Sequence, residues 1–244
     1  MKIKVLKFGG SSVGSVEAIK RSASIIINWS KKYKLIVVLS AMYGETDRLI
    51  NLVKSLSKNP NPADYDIAIS SGETVSCALM SVFLNSKKHK SKSIMGWQIP
   101  INTSSDFTKA RILSINNDKI FKELKKYDIL IIPGFQGVDK NFNITTLGRG
   151  GSDTSAVAIA ASLNTECIIY TDVEGVYTAD PNLVPQAKKL SKISYEEMLE
   201  LASQGAKVLQ TRSVELAMRK KTKLSVRSSI KPNSSGTIIT DENK

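Results

Sequence analysis

The sequence is short of the side chains from which metal centres, disulfide frameworks and base-stacking surfaces are made. It has a single histidine, His89, and two cysteines, Cys77 and Cys167, far apart and without metal-ligand spacing. A zinc site or disulfide scaffold therefore has little support, no metal ligands are assigned, and both thiols are expected to be buried and reduced. Aromatic residues make up 6% of the chain and do not interleave with the basic clusters at 87–90 and 219–221. The net charge of +13, from 35 basic and 22 acidic residues, is read as a solvated lysine-rich surface whose field attracts small anions. It is not read as a nucleic-acid platform. No apolar run approaches the roughly 20 residues of a membrane-spanning helix, and the N-terminal MKIKVLKFGG lacks the apolar centre of a signal peptide. The expectation is a cytoplasmic protein with neither a membrane nor a nucleic-acid partner.

What the chain does have is 41% hydrophobic residues over 244 positions, enough to bury a large core. Its organising stretch is TLGRGGSDTSAVAIAA at 146–161, a glycine-rich turn directly before an apolar run. The glycines let backbone N–H groups approach an anion closely, and Ser152, Asp153 and Thr154 are expected to cap the helix that follows. A helix N-terminus of this kind suits either an ordinary capped turn or a phosphate or carboxylate site.

The same transition recurs. A β-prone run at 4–8 empties into Gly9-Gly10-Ser11-Ser12, with Lys7 just ahead of the glycines, and helical spacing then runs to about Ser30. An apolar run at 35–39 opens into a small-residue loop at 40–47. A helix through Leu49 to Leu56 follows and is broken by the prolines at 60 and 62. The segment 67–71 leads into Gly72-Glu73, where a helix marked by Val75, Leu79 and Val82 is expected to start, with Glu73 complementing its dipole. A strand is expected at 93–101, a short helix at 120–124, a buried strand at 129–132 ending in PGFQG, and a hairpin over 138–147. Beyond the glycine corner come a strand at 166–170, a polar loop at 171–181, helices at 194–203 (with the capping pattern Ser194, Glu197) and 209–221, and strands at 223–227 and 237–240.

Strands alternating with helices imply an α/β fold: a three-layer α/β/α sandwich around a mostly parallel sheet, with ligands bound outside the carboxyl ends of the strands. The glycine loops all arrive at that edge.

Taken together, KFGGSSVG (7–14), LSAM with Gly44 and Thr46, SGE (71–73), PGFQG (133–137), TTLGRGGSDTSA (145–156), YTDVEGVYTADP (170–181) and ISYEEMLELASQGAKVLQ (193–210) resemble the catalytic unit of the aspartate kinases, within the amino-acid kinase (carbamate kinase-like) fold. The likeness is dispersed over nearly the whole chain. Sibling kinases acting on glutamate, acetylglutamate, carbamate or UMP are similar to a lesser degree.

The resemblance implies transfer of the ATP γ-phosphoryl group, with Mg²⁺ entering on the nucleotide, to the β-carboxylate of L-aspartate, opening lysine, threonine and methionine biosynthesis. A carboxylate nucleophile is already ionised at neutral pH, so the lone histidine is no loss. Catalysis then rests on positioning and on cations around a charge-rich transition state. By match to the family's motifs, Lys7 is expected to contact the transferring phosphoryl group, Asp153 to hold the lysine and the substrate ammonium in register, and Lys207 to supply a second cation. Glu73 is expected to pair with the aspartate ammonium and Arg149 with its α-carboxylate, while Ser40, Thr46, Phe135 and Ser152 line the aspartate pocket. Gly9, Gly10 and Ser12 are expected to cradle phosphate, and Thr171, Asp172, Tyr177 and Asp180 to hold the rest of the nucleotide.

Asn182 stands where the family commonly has an arginine on the ATP phosphates, a duty Lys188 could take over, and Thr211 stands where a proline is common. Family members usually continue into paired ACT regulatory domains, whereas this sequence stops at Lys244. The resulting expectation is one catalytic domain, with an aspartate-side lobe over about 1–150 and an ATP-side lobe over about 151–244, without built-in feedback inhibition and assembled as a homodimer. Two alternatives stay open: a sibling kinase with another acceptor, and an inactive or nucleic-acid-binding homologue.

Overall fold

The structure, a computed structural model, describes residues 2–181, 183–205 and 208–241. Along the chain run β1 (Ile3–Phe8), a 3-10 turn (Gly10–Ser12), α1 (Val16–Ser30), β2 (Lys34–Leu39), α2 (Glu45–Leu56), α3 (Pro62–Ser86), β3 (Ser91–Ser93), β4 (Ile101–Thr103), β5 (Ile112–Ile115) and α4 (Asn117–Leu124). They are followed by β6 (Ile129–Pro133), β7 (Gln136–Val138), β8 (Ile144–Thr146), α5 (Gly151–Ser162), β9 (Cys167–Thr171), β10 (Lys192–Ser194), α6 (Tyr195–Ser203), α7 (Thr211–Lys220), β11 (Leu224–Ser228) and β12 (Thr237–Thr240).

Eight strands form one sheet in the order β10-β12-β11-β9-β1-β2-β6-β3. β1, β2, β3, β6, β9 and β11 run parallel, and only the β10–β12 pair runs against them. A smaller sheet, β5-β4-β7-β8, stands beside it. The apolar runs of β1, β2, β6 and β9 are buried on both faces, as parallel strands between two helix layers must be. One face packs Val5, Val38, Ile132 and Ile169 against Ala156, Ile159, Tyr195 and Val214 of α5 to α7. The other packs Leu6, Phe8, Leu39 and Tyr170 against Ile19 and Ile26 of α1 and Cys77 and Met80 of α3. Each such buried aliphatic side chain stabilises the fold by roughly 1.5–3 kcal/mol. β1 bonds to β2 from the first half of the chain and to β9 from the second, so the halves expected on either side of residue 150 share one sheet.

The structure departs from the sequence reading in two elements. The strand expected at 93–101 is split: the chain leaves β3, turns through 94–100, where the Gln98 N–H bonds to the Met95 carbonyl, and re-enters the small sheet as β4. The helix expected to start near Gly72 begins instead at Pro62, where Asn61 caps it by accepting the Ala63 N–H and proline occupies a first-turn position. Gly72 marks a close approach within that helix, since a Cβ there would lie 2.9 Å from the Ala41 Cβ. The apolar residues that suggested the helix, Val75, Leu79 and Val82, face outward, and the buried stripe carries Asp66, Ser70, Glu73, Ser76, Cys77 and Met80. By length and composition α3 is also the one described helix able to cross a bilayer. Half of its apolar window lies inside the fold, and its two buried carboxylates mark it as a core helix.

Candidate active site

Parallel strands deliver their following loops to one edge of a sheet. The register pairs Phe8 with Leu39 and Tyr170, and Leu39 with Pro133. Gly9, Ser40, Gly134 and Thr171 therefore emerge side by side, as the glycine loops predicted. Lys7, the next-to-last residue of β1, brings a cation to this edge. Its Nζ lies 2.7 Å from Asp153 Oδ1, and both side chains are only 11% exposed. Asp153 sits in the first turn of α5, where unpaired amides and the helix dipole favour a carboxylate.

The capping of α5 differs from expectation. Its N-cap is Gly150, at φ 71°, a left-handed conformation that costs glycine little, and no side chain caps it. Ser152 and Asp153 are buried within the first turn, two and three positions past that cap, and the Thr154 hydroxyl donates back to the Gly150 carbonyl. Gly150 is also covered by Gln210, whose side chain would collide with a Cβ at that position. The loop before it leaves Arg149 exposed at the tip, with no protein partner among the described residues.

Glu73 projects from the middle of α3 beneath the loop after β2. It is 3% exposed, and its Oε1 accepts the Ala41 N–H at 3.1 Å, while Oε2 has no hydrogen-bond partner. Burial pushes its pKa from the ordinary 4.5 up to about 7, against the lowering effect of the Ala41 amide. Ser40, whose N–H bonds to the Phe8 carbonyl, and Thr46, in the first turn of α2, are half-buried at the two ends of that loop. Phe135 lies between β6 and β7 at φ 68°, its N–H held by the Ser155 hydroxyl and its carbonyl by the Leu147 amide. A non-glycine residue held in that region is a strained feature typical of ligand sites.

The residues expected on the nucleotide side are less enclosed. Gly9 gives its N–H to the Tyr170 carbonyl at 3.3 Å, so of the two glycine amides expected to cradle phosphate only that of Gly10 lacks a protein acceptor among the described residues. Ser12 is fully buried and donates to Ser229 Oγ at 2.8 Å, which places its hydroxyl inside the protein rather than in a cradle. Ser229 in turn donates to the Thr171 carbonyl. Thr171 closes β9 and its hydroxyl donates to Asp172. Tyr177 is set by an isolated antiparallel bridge to Lys189, and the exposed Asp180 has its carbonyl bonded to the Leu183 and Val184 amides. Lys188 is exposed and paired through its backbone with Thr178. Lys207 and Asn182 lie outside the described residues.

Sequence reasoning missed Asp66. It is fully buried, accepts the N–H groups of Thr108 and Thr146 at 2.9 and 2.7 Å, and also accepts the Thr146 hydroxyl. It thereby ties α3 to the strand that leads into the Arg149 corner. Burial raises its pKa, and the three donors oppose that. Its signal was the spacing of seven from Glu73, which puts both acids on one face of a helix.

The amino acid kinase family model matches residues 2–228. The chain belongs to that family. It is 50% identical to the aspartate kinase of Pseudomonas putida over 246 residues, 98% of this chain and 59% of that one. It is 47% identical to the aspartokinase of Rickettsia prowazekii over 247 residues, 99% of this chain and 55% of the relative. The chain thus spans somewhat over half the length of these relatives. Its fold superposes on E. coli aspartokinase III in complex with aspartate and ADP with a TM-score of 0.88 at 27% identity, covering 100% of this chain and 65% of that one.

Proposed function

We propose that this amino acid kinase family member transfers the γ-phosphoryl group of MgATP to the side-chain carboxylate of L-aspartate, giving 4-phospho-L-aspartate and ADP. The observation that carries the reading is the meeting, at one sheet edge, of the buried Lys7–Asp153 pair with a buried Glu73 that has one oxygen uncommitted. The first supplies an oriented cation for phosphoryl transfer. The second suits an ammonium group, whose charge would restore the ionised form that burial disfavours. The similarity to aspartate kinases, one of them solved with aspartate and ADP, supports the choice of acceptor.

In this reading a lone pair on the substrate carboxylate attacks the γ-phosphorus as the bond to the bridging oxygen breaks, and ADP leaves with that electron pair. No proton has to be removed first, so no general base is required. Lys7, fixed by Asp153, offsets the charge on the transferring group, and Lys207 is assigned the second cation. Glu73 takes the α-ammonium. Arg149 grips the α-carboxylate with the two-pronged geometry that a guanidinium allows. Ser40, Thr46, Phe135 and Ser152 line the acceptor pocket, and Gly9, Gly10, Thr171, Asp172, Tyr177 and Asp180 face the nucleotide. Mg²⁺ enters as part of the substrate MgATP.

For the assembly we propose a homodimer through α3, supported by its exposed stripe of Ile67, Val75, Leu79 and Val82.

The test is ADP formation with MgATP and, separately, aspartate, glutamate, acetylglutamate and UMP. Turnover with aspartate is the expected result, and turnover confined to another acceptor overturns the assignment. Arg149→Ala should raise the aspartate KM while leaving the MgATP KM near its wild-type value.

A further inference from the structure

Side chains alternate across a strand, so Lys7 points to the α5 face while its neighbours Leu6 and Phe8, with Tyr170, point to the α1 face. On that second face lies a cavity of about 300 Å³, lined by Arg21, Asn28 and Trp29 of α1, Tyr170 of β9, Arg227 of β11 and Asn233 of the following turn. It stands on the opposite side of the sheet from the Lys7–Asp153 pair.

Its chemistry is one-sided. Two guanidiniums line it and no carboxylate does, and among the described residues neither arginine has an acidic partner. Arg227 Nε is buried without an acceptor, so the protein leaves part of this guanidinium unanswered. The Arg227 guanidinium lies over the Trp29 ring at 5.8 Å, and the Trp29 indole N–H donates to the Tyr170 hydroxyl at 2.8 Å, so an aromatic wall is already fixed beside the charge.

We infer that this cavity binds a small molecule bearing a phosphate or carboxylate group, the oxyanion held by Arg21 and Arg227 and the remainder lying against Trp29. Such an occupant acts on the active edge through Tyr170. That ring stacks on Phe8 with centroids 4.8 Å apart, and the Tyr170 carbonyl holds the Gly9 N–H. Filling the cavity therefore shifts the MgATP KM, an effect that rests on the kinase reading above, whereas the binding itself does not.

Because the chain has two tryptophans, a Trp97→Phe variant makes Trp29 the sole indole reporter. Titration with inorganic phosphate and, separately, with succinate separates the two oxyanion sources. The expected result is a saturable change in Trp29 emission with at least one of them, weakened about tenfold or more by Arg227→Gln and by Arg21→Gln. Arg21 is exposed on α1, so its variant keeps the fold if Arg227→Gln does not. No saturable response to either anion, or a response that survives both substitutions, overturns the site. Binding that leaves the MgATP KM unchanged overturns the coupling alone.

Discussion

Asp66 and Glu73 are two turns apart on the same face of α3, and both are buried, at 0% and 3% exposure. Their surroundings differ in one respect. Asp66 receives three hydrogen bonds from two other segments, whereas Glu73 receives one, from Ala41, and keeps an oxygen without a partner. A carboxylate whose lone pairs are filled by the protein is a fastener, and one left half-filled in a low-dielectric position is held ready for a cation. A single helix thus fixes the Thr146 end of the Arg149 loop with one acid and presents the other beneath the loop after β2.

The comparison breaks most visibly at Asp66. Asp66→Ala leaves the Thr146 and Thr108 amides without their acceptor, which should cost about 3–5 kcal/mol and lower Tm by roughly 6–20 °C for a chain of this size. Asp66→Asn should recover most of that loss. The amide oxygen can accept both N–H groups, and its NH₂ can donate to the Thr146 hydroxyl. Calorimetry on the two variants checks the order, and equal destabilisation would show that charge rather than hydrogen bonding holds the corner.

Asp66 was not legible in the sequence at all, and the role of Glu73 was named only through the family resemblance and not through the pattern of its helix. The reason is physical. The strands could be read because β1, β2, β6 and β9 are buried on both faces and are nearly pure apolar runs. The loops could be placed because parallel strands send glycine turns to one edge. In α3 the usual pattern is inverted: Val75, Leu79 and Val82 face outward, and acids and serines face inward. Periodicity therefore picked the wrong face and started the helix too late. The Lys7–Asp153 pair was anticipated from motifs, but the capping of α5 by Gly150 was not, because Ser152 and Asp153 look like capping residues until the left-handed turn before them is seen.

Glu73 should respond to amide substitution in the opposite sense to Asp66. Its pKa rises from 4.5 to about 7 on folding, which corresponds to roughly 3 kcal/mol against the ionised form. Because the folded-state value is the higher one, the native state binds the extra proton between those limits, and stability falls as pH rises from about 4.5 to 7. Glu73→Gln removes the charge. The variant should match the wild type near pH 4.5 and exceed it by up to about 3 kcal/mol at pH 8, read from urea midpoints across the range. A constant difference at all pH values would mean that Glu73 is not the titrating group.

That gain in stability should come with a loss of function. Under the proposed reading Glu73→Gln raises the aspartate KM about 10- to 100-fold at pH 8, the effect of losing one charge-assisted contact to the ammonium. For the wild type, kcat/KM for aspartate should climb with pH through about 7 as Glu73 ionises, and in the variant that rise should disappear. A variant with wild-type KM and an unchanged pH profile removes Glu73 from the substrate site and leaves it a buried acid without a task.

The smallest effect is expected where a carboxylate is exposed and already answered by the backbone. Glu197 closes the capping box of α6, accepting the Ser194 N–H while the Ser194 hydroxyl accepts that of Glu197. These local hydrogen bonds hold its pKa below the ordinary value. Glutamine serves the same position, since its carbonyl oxygen can accept the same N–H. Glu197→Gln should accordingly leave Tm and both Michaelis constants within error, whereas Ser194→Ala, which removes the cap itself, should cost about 1 kcal/mol. One carboxylate-to-amide exchange made at three positions would then read out three environments: nearly neutral where a backbone cap is served equally by either group, modestly costly where the protein fills the lone pairs, and stabilising but functionally expensive where it leaves one open.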